Sequence, residues 1–273
     1  MTPLRLLEPQ LKARLLSYLR EKKAISAADV VINEMVLANY QRRADLVTVS
    51  PKQLIIYEIK SEADSLSRLS GQLDLYLQFA NKVIVVCAPK HTKGVLAKTP
   101  PAVAVWEMTS KKTVIKQRGR QQKNIDRDSA LTLMSANELR PLVTKQGIRS
   151  SGLSRGEMLA ALANASPVQC RDAALAAVIK RFSPTNHAFW QQVDGEPITP
   201  AHLLALSPYK AERDREKARV KLNKDSWARC IASMQALADE QIEKAIPRKP
   251  ASESNAITSP TCSLKPRTVI LKK

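Results

Sequence analysis

Apolar positions along the chain change period several times, and each change predicts an element. Leu4, Leu7, Leu11, Leu15 and Leu19 recur at helical spacing behind Thr2-Pro3, a cap followed by a first-turn proline, so a helix is predicted to end near Glu21. Val30-Val31-Ile32 is a short β-branched run leading into Asn33-Glu34. Residues 44–49 and 53–60 read as two strands joined by a tight turn around Ser50-Pro51-Lys52. The period turns helical again over 65–80, with Leu66, Leu69, Leu73, Leu77 and Ala80 on one face. Residues 82–87, Lys-Val-Ile-Val-Val-Cys, are nearly continuous apolar sequence and predict a strand buried on both sides. Residues 102–106 predict a further strand and 113–116 a last edge strand. The order predicts an α/β fold, a mixed sheet flanked by helices.

From Ser129 to about Ile246 the period is helical throughout. Ser135-Ala136-Asn137-Glu138 has the composition of a helix cap ahead of Leu139, Leu142 and Val143. Gly147 and Ser151-Gly152 interrupt it, and shorter helices are predicted over 154–163 and 168–181. Residues 213–245 alternate in charge and predict a long helix with Val220, Trp227, Ile231, Met234, Leu237 and Ile242 as buried points. Beyond Pro247 the Ser/Pro/Thr/Lys composition reads as a flexible tail. The expected organisation is therefore a sheet domain over 1–118, a basic linker and helical module over 119–165, an all-helical extension over 166–246 and a basic tail over 247–273.

Charge narrows the choice of partner. The 273 residues carry 44 Lys and Arg against 25 Asp and Glu, a net charge of +19. A surplus of that size implies a polyanionic partner: nucleic acid first, an anionic membrane face second. The run 111–123 is basic, Gln-rich and poor in apolar residues, and reads as a surface loop following the sheet. Residues 107–150 hold 10 basic and 4 acidic side chains, and 247–273 hold 6 and 1. Aromatic residues make up only 4%, which disfavours a groove that stacks single-stranded bases. Four scattered cysteines (Cys87, Cys170, Cys230, Cys262) form no Cys-x-x-Cys, so free thiols in a reducing compartment are expected. No apolar run approaches the roughly 20 residues of a membrane span. A soluble, cytoplasmic protein is the expectation.

Candidate chemistry lies on the two central strands. Strand residues two apart face the same way, so Glu58 and Lys60 project together, roughly 6.5 Å apart along the backbone. If the strands pair as a hairpin, Asp45 comes round to meet them. Two carboxylates and an ammonium at one spot suit metal-assisted phosphodiester hydrolysis. Taken alone, a Glu-x-Lys on a strand is usually a solvated ion pair; the combination carries the signal. Glu34 reads either as a further acid near a metal or as an ion-pair partner of Arg42 or Arg43. Gln72 reads either as a site residue or as packing on the polar side of its helix. Asp64 reads as a helix cap, His91 as a loop residue, His187 and His202 as structural, and Trp106 and Trp190 as core.

With Arg43-Ala44-Asp45-Leu46, Tyr57-Glu58-Ile59-Lys60-Ser61, Gln72 and the 83–86 strand in place, residues 34–106 resemble the PD-(D/E)xK nuclease superfamily. The likeness is to a bacterial and phage branch resembling DNA-repair proteins, although Ala44 stands where the superfamily's first motif usually has proline. It implies a restriction-endonuclease-like core in which Asp45 and Glu58 bind Mg2+ or Mn2+ and Lys60 positions or activates water. It further implies that Glu34 is an additional metal-side acid, with Gln72 in support. Residues 135–163 are similar to a SAP-type helix–turn–helix, a small DNA-binding module. The expected DNA contacts are Lys111, Lys112, Lys116, Arg118, Arg120 and Lys123 in the basic run. Arg140, Lys145, Arg149 and Arg155 join them from the SAP-like module, as phosphate rather than base contacts. The expected function is a metal-dependent DNA endonuclease in repair, recombination or phage DNA processing. Two rivals stand beside it: a non-catalytic DNA-binding protein that uses a nuclease fold for docking, and an assembly factor that engages a protein partner or itself through the C-terminal helix.

Overall fold

The computed structural model describes residues 6–38, 42–123, 125–206, 226, 227, 229 and 231–235. The first unit, Met1–Arg215, is built on a six-stranded mixed sheet in the order β1 (Val30–Leu37), β2 (Arg42–Ser50), β3 (Gln53–Lys60), β4 (Lys82–Cys87), β5 (Ala104–Met108), β6 (Thr113–Gln117). The first three strands form an antiparallel meander, β3, β4 and β5 run parallel, and β6 turns back antiparallel. The parallel steps need crossovers. These are supplied by α2 (Leu69–Phe79) and α3 (Thr92–Lys98), the second of which the hydrophobic period does not announce.

The sheet has a hydrophobic cluster on each face. α1 (Glu8–Glu21) packs Leu11, Leu15 and Leu19 against Leu46, Tyr57 and Ile84 on one side. α2 packs Leu69, Leu73, Tyr76 and Phe79 on the other, over Ile56, Val83 and Val85. The expected helix over 65–80 begins only at Leu69, because Ser65 and Ser67 bond each other and the Ser67 N–H, holding the chain in a turn. Its buried face is centred on Tyr76, and Leu77 is only half-buried. Trp106 meets Tyr18 and Tyr57 edge-on, a core position as expected.

The helical residues after the sheet share its core. α4 (Arg127–Thr132), α5 (Ala136–Lys145) and α6 (Arg155–Ala161) contribute Leu131, Leu139, Val143 and Met158 to the same cluster as the sheet and α2. Described residues of the stretches 1–118, 119–165 and 166–206 are thus packed as one body. Ser154 opens α6 with a full capping box, accepting from the Glu157 N–H while Glu157 accepts from its own.

The long helix α7 (Pro167–Val193) runs well past the predicted end at 181 and straight through Pro184. Tertiary contacts override the proline. Cys170, Leu175 and Phe182 belong to the cluster on the α2 side, whereas Phe189 and Val193 belong to the α1 side. The helix therefore passes round the β1 edge of the sheet. Where it crosses, the buried Asn186 stands in for a neighbouring strand: its Oδ1 accepts from the Val31 N–H at 2.6 Å and its Nδ2 donates to the Val31 carbonyl at 2.8 Å. An edge strand is thereby closed to other partners.

In the second unit, Glu216–Lys273, the described residues are helical, and Trp227, Ile231 and Met234 are exposed rather than the buried points the spacing predicts. Most of the expected helix over 213–245, the tail over 247–273 and the start at Thr2-Pro3 lie outside the described residues. Among the described residues no helix is long and apolar enough to cross a membrane.

Asn186→Ala strands a buried N–H and a buried carbonyl. It is expected to lower the unfolding free energy by about 2–4 kcal/mol in urea titrations. A loss below about 0.5 kcal/mol, the range of an ordinary surface change, would contradict the bracing role.

Candidate functional site

The site forms where β2 and β3 part. Their pairing runs from Ser50↔Gln53 to Leu46↔Tyr57 and stops one step before Asp45 would face Glu58. The Ile59 N–H instead donates to Asp45 Oδ2 at 2.7 Å, so a side chain takes the place of a ladder acceptor. On the other flank Glu34 interrupts the β1–β2 pairing between Asn33↔Leu46 and Met35↔Ala44 without shifting its register, and has φ of +62°. A non-glycine residue there costs about 1–2 kcal/mol. The kink reverses the alternation of faces: Val30, Ile32, Met35 and Leu37 all join one cluster, although 32 and 35 differ in parity. β2 shows the same switch between Ala44 and Val47.

On β3, Glu58 and Lys60 face α2. Lys60 Nζ donates to Glu58 Oε1 at 2.6 Å and to Gln72 Oε1 at 3.2 Å. The Tyr76 hydroxyl lies 3.0 Å from Glu58 Oε2 and 3.1 Å from the Arg43 carbonyl oxygen. Gln72 and Tyr76 are four apart on α2 and so share a face. Glu58 is 1% exposed, and both of its oxygens have partners.

All five residues expected from the sequence, Glu34, Asp45, Glu58, Lys60 and Gln72, line one cleft of about 310 Å3. Glu8, Arg42, Arg43, Ile59, Asp64 and Arg68 complete its wall. Asp64 is not a helix cap; it closes the turn after β3 by accepting from the Ser61 N–H at 2.8 Å. Sequence reasoning passed over Glu8 and Tyr76, and also Lys12, which is 3% exposed and bonds Glu8 at 2.6 Å and Asn33 at 3.0 Å. The available signals were a lysine within the leucine stripe of α1 and a tyrosine one turn beyond Gln72.

Burial, and next the Glu58 charge, raise the Asp45 pKa from 3.8 to about 7; Lys12 and the Ile59 N–H oppose the shift. Two hard oxygen donors therefore share a polar cleft with their mutual repulsion incompletely offset, which suits a divalent cation. Glu34 lines the same cleft, and its carboxylate sits 3.2 Å from Arg43. Among the described residues no group of three or more His, Cys, Asp or Glu side chains is arranged to hold a metal. Asp45 and Glu58 fit such an ion only with water or a substrate oxygen completing its shell.

The expected DNA contacts are dispersed. Lys111 and Lys112 sit on the β5–β6 turn, at the same end of the sheet as Lys60, while Lys116 pairs with Glu107 at 3.3 Å. Arg118, Arg120 and Lys123 follow β6, which has carried the chain back to the opposite end. These three therefore stand at the end of the sheet away from the cleft. In the helical module, Arg140 donates to the Ser150 carbonyl at 2.7 Å and Arg155 to the Met134 carbonyl at 3.0 Å, so both brace the backbone. Lys145 and Arg149 are exposed.

The family described as bacteriophage P4 protein cII matches residues 2–207. The chain belongs to that family. Protein cII of Enterobacteria phage P4 is 33% identical over 204 residues, covering 73% of this chain and 76% of that protein. Every cleft residue lies within the matched span. A solved structure of a protein of unknown function from Silicibacter pomeroyi aligns at 21% identity over 43% of this chain and 75% of that one, with a TM-score of 0.34, too low to bear on the fold.

The Asp45 shift has a signed consequence for stability. The folded state keeps this proton to higher pH than the unfolded chain, so Asp45 is neutral to folding below its ordinary 3.8 and turns against it as pH rises towards about 7. Asp45→Asn keeps an oxygen for the Ile59 N–H and removes that penalty. In chelator the variant is expected to gain about 2–4 kcal/mol on wild type between about pH 4 and pH 7.5. Parallel pH–stability curves would contradict the buried charge.

Proposed function

We propose that the chain is a Mg2+- or Mn2+-dependent deoxyribonuclease of the PD-(D/E)xK type, acting in the cytoplasm in DNA repair, recombination or phage DNA processing. The observation that carries this reading is the gathering of Asp45, Glu58, Lys60 and Gln72 in one cleft at the point where β2 and β3 diverge. Asp45 and Glu58 would hold the cation, which when bound supplies Lewis-acid polarisation of a phosphoryl oxygen and a more acidic water. Lys60 has three donors, and Glu58 and Gln72 take two. The third serves the attacking water or a phosphate oxygen, where the ammonium offsets developing charge. Gln72 and Glu58 fix where that ammonium stands, and Tyr76 fixes Glu58. Arg42, Arg43 and Arg68 on the cleft wall suit the phosphates flanking the scissile bond.

The test is a panel of nicked, branched, single- and double-stranded DNA incubated with Mg2+ or Mn2+. Wild type is expected to cut at least one of them, and Lys60→Ala to lower the rate about 100-fold or more. A folded wild type that cuts none would end the reading.

A second reading has its own support. Both Glu58 oxygens are already engaged by Lys60 and Tyr76, as they would be in a nuclease fold retained for docking without catalysis. Calorimetric titration of Mn2+ separates the two: heat with wild type that vanishes in Asp45→Ala favours the enzyme, and no heat from either favours the docking protein.

A further inference from the structure

The end of the sheet away from the cleft carries a second, differently built positive surface. Segment 118–123, expected from composition to be a surface loop, is fastened to the sheet along its length. The Arg120 N–H donates to the Ala102 carbonyl at 2.8 Å and the Gln122 N–H to the Asn81 carbonyl at 2.7 Å. Asn81 Nδ2 returns a bond to the Gln122 carbonyl at 3.0 Å, and Gln121 Nε2 reaches Gln53 Oε1 at 2.7 Å. Arg171 on α7 donates to the Lys123 carbonyl at 3.0 Å. Gly119 has φ of +67°, and a Cβ there would lie 2.5 Å from the Ala104 nitrogen, so only glycine lets the backbone seat this closely.

These anchors lie at the beginnings of β3, β4 and β5, whereas Glu58 and Lys60 lie at the far end of β3. Seven strand steps separate Gln53 from Lys60, roughly 23 Å. Arg118, Arg120 and Lys123 are exposed there, next to segments that bring exposed Lys52 on the β2–β3 turn and half-buried Lys82 at the start of β4. No Asp or Glu occurs in 49–56, 79–83, 99–104 or 117–123. Among the described residues none of the five cations is paired with a carboxylate. Their charge is therefore not spent within the fold, and the backbone that presents them is already ordered, which lowers the cost of binding.

We propose that this end of the sheet is a second docking surface, and that its occupant is the sugar–phosphate backbone of a nucleic-acid duplex. The same segments offer no exposed aromatic side chain on which unpaired bases could stack, which disfavours a single strand. A duplex longer than about ten base pairs, at about 3.4 Å per step, is long enough to reach from this surface to the cleft. The proposal shares a nucleic-acid partner with the nuclease reading but needs neither metal nor cleavage.

The test is fluorescence anisotropy of the full chain with a labelled duplex of random sequence in EDTA, across a salt series. Neutralising Arg118, Arg120 and Lys123 together to Ala is expected to weaken binding about tenfold or more and to reduce the log–log salt slope by about 2–3. Arg118→Lys with Arg120→Lys keeps both values, and because the series is read in EDTA, failure of the cleavage assay leaves this result standing. If the triple variant melts early, Lys52→Gln with Lys82→Gln reads the same loss in a smaller step. Unchanged affinity and slope in a folded variant, or no duplex binding by wild type, would overturn the proposal. So would a variant that loses phosphatidylserine vesicles yet still binds duplex as wild type does.

Discussion

Glu58 and Lys60 sit side by side inside a six-stranded sheet, and the elements around them are arranged by what it takes to keep two charges there. Removing a carboxylate and an ammonium from water costs several kcal/mol each, recovered only when their mutual attraction is joined by hydrogen bonds to the remaining lone pairs and protons. The 2.6 Å contact supplies the first, and Gln72 and Tyr76, one turn apart on α2, supply the second. The register of α2 against β3 is thus tied to the pair, as is the packing of Leu69, Leu73 and Phe79 that accompanies Tyr76. Asp45 stands outside this arrangement, with one backbone N–H, the Lys12 charge and a like-charged neighbour.

Strain at Glu34 belongs to the same account. A left-handed residue inside a strand is costly, yet here it reverses the alternation of β1 where β2 leaves β3. Without that reversal β1 and β2 could not keep their apolar faces towards one core while opening a polar gap at Asp45. The gap, the strained residue and the interrupted ladder describe one local departure from regular sheet, and the cleft is its result.

How much of this was legible in the sequence depends on whether the signal was local. The turn at Ser50-Pro51-Lys52, the buried 82–87 strand and the Ser135–Glu138 cap are written in adjacent residues, and they stand where expected. Asp45, Glu58 and Lys60 were legible because strand alternation and a short hairpin bring them together at small sequence separation. Tyr76, Lys12 and Asn186 owe their roles to packing between distant segments: the local pattern marks Lys12 and Tyr76 only as a lysine in an apolar stripe and a tyrosine one turn beyond Gln72, and it does not name their partners. The helix predicted to end at 181 instead continues through Pro184, because burial on both faces of the sheet holds it. The basic run was visible as composition, but composition does not say which end of a sheet an antiparallel last strand will reach. The match to the bacteriophage P4 protein cII family spans the sheet and α1–α7, so cleft and distal surface alike fall in the shared part of the chain.

The central claim is that the carboxylates of Asp45 and Glu58 form a divalent-cation site next to the Lys60 amine. The most direct measurement is anomalous scattering from crystals soaked in Mn2+. The account predicts one strong peak between these two carboxylates, with Lys60 still within hydrogen-bonding reach of Glu58 or of a water on the ion. An empty cleft with the Glu58–Lys60 bridge intact, in crystals that take up Mn2+ elsewhere, would contradict it.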